Sequence, residues 1–152
     1  MASHTWPDHL QPPDPSRIET QLARFWAELL ALGTLIDAGE QLLCSEQTAT
    51  LRAIILELMV GLNGIAYPTG THHLNTYLGP SQRAAIEKTL VAPSVSAEAW
   101  IGQAVSLVVI YRWYAPQLVE RFGLHYPADA ETEALGRMRT LLPDWPQSIT
   151  TG

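Results

Sequence analysis

Apolar residues recur every three or four positions in five separate stretches of the chain. That is the spacing of a buried stripe on an α-helix. The first stretch carries Ile18, Leu22, Phe25, Leu29, Leu32 and Ile36. Ser16 followed by Glu19 reads as a capping box, with the serine bonding the third helical N–H and the acid reaching back. This helix is therefore expected from Ser16, with Gly39 as its stop. The second covers about residues 46–65, or begins near Glu40, and buries Leu51, Ile54, Ile55, Leu58, Met59, Leu62 and Ile65. Its Gly61 and Gly64 allow close packing on a neighbour or fray the helix end, with packing the better reading. Pro80 suits a first helical turn and opens a short helix through Leu90. Residues 95–122 form the longest helix; it is apolar on nearly all sides from Ala104 to Tyr111 and so belongs at the centre. Pro116 removes one of its backbone bonds and should kink it. A last helix runs from about Ala128 to Leu142, with Asp129, Glu131 and Glu133 at its positive end and Arg137 and Arg139 at the other. No run alternates as a strand would. The pattern predicts an all-α fold: five helices, mostly antiparallel because the loops are short, around a long kinked central helix.

The prolines at positions 7, 12, 13 and 15 make residues 1–15 an arm, extended or loosely docked, with Trp6 as a candidate anchor. Residues 143–152 read as a tail of the same kind, which leaves 16–142 as the bundle domain. Residues 66–79 form the longest irregular internal segment, and a loop of that length in a compact helical domain tends to be functional.

Composition narrows the class. At 152 residues the chain is one domain's worth. Apolar residues make up 47% and charged residues 16%, a balance that folds rather than stays disordered. The longest apolar runs, such as 53–56 and 107–111, fall far short of the ~20 residues of a membrane span. Fifteen acids against nine bases give a net charge of −6, which argues against a nucleic-acid binder. Cys44 is the single cysteine and Met1 to Pro7 has no basic-then-apolar leader, so a cytoplasmic protein without disulfides is expected.

Most catalytic motifs are missing. There is no Gly-x-x-x-x-Gly-Lys, no Gly-x-Gly-x-x-Gly, no Cys-x-x-Cys and no His-Glu-x-x-His. His72 and His73 are adjacent, so their side chains diverge, and a polar loop pair is the better reading than metal ligands. Cys44 reads as a buried, inert thiol rather than a nucleophile. Glu28, Asp37, Glu57 and Glu98 lie on otherwise apolar helices. They are solvated faces, or they share a cleft that would draw a cationic ligand such as an amino-sugar. Trp26, Trp100, Trp113, Tyr111 and Tyr114 sit at core spacing, with Trp100, Tyr111 and Tyr114 also candidates for a pocket wall.

The order of segments adds a family. Phe25-Trp26 opens a helix that ends Asp37-Ala38-Gly39-Glu40; a second apolar helix follows, then a loop ending Tyr77-Leu78-Gly79-Pro80-Ser81-Gln82-Arg83, then a short helix ending Ile86 to Leu90. The central helix closes on Leu118-Val119-Glu120-Arg121-Phe122-Gly123, before Leu124-His125-Tyr126-Pro127. This order, over roughly Arg24 to Leu142, resembles the carboxy-terminal helical domain of aminoglycoside 6-adenylyltransferases of the streptomycin adenylyltransferase type. In that family the helical domain follows a nucleotidyltransferase domain, which carries the metal-binding acids, and the two enclose nucleotide and aminoglycoside. The family's lysines before Tyr-Leu are replaced here by Thr71, His72, His73, Asn75 and Thr76.

The resemblance implies a freestanding, non-catalytic binding module with no catalytic residues, metal ligands or cofactor of its own. A separate nucleotidyltransferase is its implied partner. A small cationic or nucleotide-like ligand would lie between the second helix, the 66–79 loop and the central helix, against Glu57, Tyr67, His72, Tyr77, Glu98 and Tyr111. The alternatives are a homodimeric interaction protein and an RNase toxin of the wider HEPN group. That group carries Arg, then four to six intervening residues, then His on a helix, whereas only three residues stand between Arg121 and His125 here.

Overall fold

The computed structural model describes residues 5–150, so residues 1–4 of the arm and 151–152 of the tail lie outside the described residues. Within them the chain forms five α-helices and no strand. They are α1 (Pro15–Ala38), α2 (Gln41–Leu62), α3 (Pro80–Glu87), α4 (Ala97–Phe122) and α5 (Ala128–Leu141). Single 3-10 turns cover Leu74–Tyr77 and Lys88–Leu90.

Helix α1 starts one residue before the expected capping box. Pro15 takes the first turn, where its missing N–H costs nothing, and the Asp14 carboxylate caps the Ser16 N–H at 3.0 Å. Gly39 ends α1 in the left-handed region (φ 72°). Helix α2 takes the earlier of its two expected starts. Helix α4 is capped by Ser96, runs through Pro116 and stops at Gly123 (φ 64°).

Side-chain pairs fix the helix directions. Arg17 meets Glu57 and Glu28 meets Gln47, so α1 and α2 are antiparallel. Asn63 meets Gln82 and Arg52 meets Thr89, so the α3 segment turns back along α2. Gln41 meets Trp100 and Leu62 meets Arg121, so α4 runs parallel to α2. Consecutive helices thus alternate in direction, as the short loops require. One end of the bundle holds the start of α1 and the ends of α2 and α4. The other holds the end of α1 and the starts of α2 and α4.

The core follows the expected stripes, with Leu22, Phe25, Leu29, Leu32, Leu51, Ile55, Met59, Leu107 and Val108 fully buried, except at the end of α2, where Leu62 is half-buried and Ile65 lies past the helix. Gly61 packs as anticipated; a Cβ there would lie 3.4 Å from Ile18 Cδ1. Gly64 instead takes a turn at φ 87°. The tail departs from expectation. Trp145 is buried against the core with Leu142, and the Ile149 carbonyl accepts from Arg112 at 2.8 Å. An indole burying its area outweighs the cost of ordering a proline-flanked segment. No helix among the described residues is long and apolar enough to cross a membrane.

Candidate ligand-binding site

Two acids, one base and a tyrosine meet at the end of the bundle where α1 begins and α2 finishes. The cavity there is about 290 Å³, at the lower edge of small-ligand pockets. Its walls include Asp14, Arg17, Glu57, Gly61 and Tyr67. Arg17 grips Glu57 with two parallel bonds, Nε to Oε2 at 2.8 Å and Nη2 to Oε1 at 3.1 Å. Gln21, buried beneath, donates its Nε2 to the same Oε1 at 2.9 Å, while its own Oε1 has no partner. The bonds to Glu57 and its charge hold the Arg17 guanidinium above its ordinary pKa.

The 66–79 loop closes over this end, pinned by the amino-terminal arm. The Asp8 carboxylate accepts from Thr71 Oγ1 at 2.6 Å and from the Tyr77 hydroxyl at 2.7 Å, and the Asp8 N–H donates to that hydroxyl at 3.2 Å. These bonds, Thr71's first, hold Asp8 below the usual carboxylate range. Burial and then the Asp8 bond push Tyr77 up. The Ala66 N–H donates to the Gln11 carbonyl, and the Trp6 ring lies 5.9 Å from that of Tyr77. The arm is therefore docked, with Trp6 against the loop and Asp8, not singled out by its sequence context, as the polar anchor.

Of the six expected site residues, the structure brings Glu57 and Tyr67 into one cavity. Tyr77 is nearby but buried, its hydroxyl committed to Asp8. His72 projects from the exposed part of the loop. Tyr111 is a correction: it is fully buried, its hydroxyl accepting from Trp26 and donating to the Leu22 carbonyl, so it walls no cleft. Glu98 is another. It lies in the first turn of α4, at the far end of the bundle from Glu57. Glu28 and Asp37 do not join Glu57 either; Glu28 binds Gln47 at 2.6 Å, and Asp37 is exposed near the end of α1.

Other expectations can be placed. Cys44 is buried, and burial, then Glu40, raise its thiol pKa, the environment of an inert cysteine. No cluster of three His, Cys, Asp or Glu among the described residues could hold a metal ion. Arg121 ends α4 and donates to the Leu62 carbonyl, while His125 lies beyond the Gly123 stop, so the two share no helix. No family model, curated protein or solved structure matches the chain.

Proposed function

We propose that the protein is a non-catalytic binding module that takes a small cationic ligand, of the size of one amino-sugar ring, in the cavity between α1, α2, the arm and the loop. The observation that carries this is the wall itself: Asp14 and Glu57 face the space with Arg17 as the one base among the lining residues. A ligand ammonium would exchange with Arg17 for the Glu57 carboxylate, gaining a charge-assisted bond worth about 1.5–3 kcal/mol less the contribution of the half-exposed Arg17 contact that it replaces. Tyr67 supplies an aromatic face, on which a cation gains a further ~0.5–1 kcal/mol. The segment order that resembles the aminoglycoside adenylyltransferase helical domain points to the same ligand class, and a separate nucleotidyltransferase remains the partner that likeness suggests.

Isothermal titration with streptomycin and neomycin, and with ATP for comparison, tests the reading. An aminoglycoside should bind, and Glu57→Gln should weaken it roughly 10- to 100-fold while the variant keeps a cooperative melt. No heat and no melting shift with either aminoglycoside would overturn it.

A further inference from the structure

The Glu57 cavity has one rigid side and one that depends on the arm. Helices α1 and α2 supply the first through Arg17, Glu57 and Gly61. Ala66, Tyr67 and Thr69 of the loop supply the second, beside Pro13 and Asp14 of the arm. Residues 66–73 belong to no helix or strand. Their own bonds are short-range: the Thr71 N–H donates to the Pro68 carbonyl at 3.1 Å, and the His73 N–H to Thr71 Oγ1 at 3.0 Å. Among the described residues, the hydrogen bonds that tie this stretch to the rest of the fold go to the arm. The Ala66 N–H donates to the Gln11 carbonyl at 2.8 Å, and Thr71 Oγ1 to the Asp8 carboxylate at 2.6 Å. Losing those bonds would free a wall that gains chain entropy on leaving the cavity.

Asp8 joins that wall to a fixed point. Tyr77 is buried, and its carbonyl accepts from Asn63 Nδ2, at the end of α2, at 2.8 Å. Its hydroxyl donates to Asp8 Oδ2 at 2.7 Å, the same oxygen that takes Thr71. A single carboxylate oxygen thus links a tyrosine anchored on α2 to a threonine in the irregular stretch, and the Asp8 N–H closes back on the Tyr77 hydroxyl. We propose that the arm is a latch for the ligand cavity and that Asp8 is its positioning residue. With Asp8 seated, the Ala66–Thr69 wall is in place and the cavity is preorganised for its ligand. With Asp8 removed, the wall opens, and apparent affinity falls by the fraction of molecules in which the wall still stands. Asp8 does this without lining the cavity itself. The inference deepens the binding reading above and rests on it.

Two measurements on the full chain test it: amide hydrogen exchange by NMR, which needs no ligand, and isothermal titration with streptomycin and neomycin. In Asp8→Ala the Ala66 amide should exchange roughly tenfold faster, and the aminoglycoside that binds the wild type should bind roughly tenfold more weakly, while a cooperative melt shows that the bundle is intact. Asp8→Asn should restore both to within about threefold of the wild type, because one amide oxygen has two lone pairs and can accept from Thr71 and Tyr77 together. Ala66 exchange unchanged in Asp8→Ala would overturn the latch. Faster exchange with unchanged affinity would overturn its role at the cavity while leaving the binding reading in place. Wild-type protein that binds neither aminoglycoside would overturn both.

Discussion

The Trp26 indole N–H donates to the Tyr111 hydroxyl at 3.1 Å, and that hydroxyl in turn donates to the Leu22 carbonyl at 2.8 Å. Phe25 stacks on the Tyr111 ring at 4.3 Å, so one phenol joins α1 to α4 by both an apolar face and a polar tip. Burial raises the Tyr111 pKa strongly, which keeps the hydroxyl neutral and able to donate. Tyr111→Phe should cost about 1–3 kcal/mol, because the buried indole N–H is left without an acceptor. The melting temperature should fall by several degrees. Ligand affinity at the Glu57 cavity should not change; a loss of affinity would return Tyr111 to the site.

The Arg17–Glu57 pair should contribute little to stability despite its two bonds. Its side chains are 54% and 20% exposed, so water and salt screen the charges. A double-mutant cycle with Arg17→Ala and Glu57→Ala should give a coupling below ~1 kcal/mol that shrinks further in 0.5 M salt. A coupling of several kcal/mol would make the pair a structural brace rather than an exchangeable contact in a ligand cavity.

Arm docking should depend on acid. Asp8 is held below its ordinary pKa, so its contribution is fully present above about pH 4, the unfolded value, and is lost as the pH falls through the lower docked value. In an NMR titration the Asp8 amide, which donates to the Tyr77 hydroxyl, should hold its shift from pH 8 to 5 and move only below about 4. Asp8→Asn should remove that transition. The same acid transition in Asp8→Asn would assign it to another group.

Gly33 lets α1 pack tightly against α5. A Cβ there would lie 2.3 Å from Met138 Sδ, and Met138 is fully buried. Gly33→Val should therefore destabilise by about 1–3 kcal/mol through overpacking, more than valine gains over glycine in a helix. Calorimetry of Gly33→Val, Met138→Ala and the double variant should show the two losses adding to less than their sum, since the smaller side chain makes room for the larger. Simple additivity would mean that the two positions do not touch.

How much was legible beforehand depends on the range of the interaction. The stripe from Ile18 to Ile36 is a repeat within one helix, and it became one helix with its stripe buried. The Pro15 and Asp14 start was one step from the expected Ser16, because a carboxylate preceding a first-turn proline outcompetes a serine inside the turn. Trp145 was read as part of a loose tail. Its flanking prolines are a local signal, whereas its burial depends on a surface built by other helices. Asp8 had no flag at all, since both its side-chain partners, Thr71 and Tyr77, lie more than sixty residues away.

Periodicity, caps and glycine stops act over three or four residues, so the chain's own order determined five helices and where each turns. Which acids would face one another was decided only by assembly. The α3 segment turns the chain back along α2, so α4 starts at the end of the bundle where α2 started, and Glu98 is carried to the far end from Glu57. A helical stripe specifies which face is buried but not which end of the next helix lies beside it; the connection's path through space sets that.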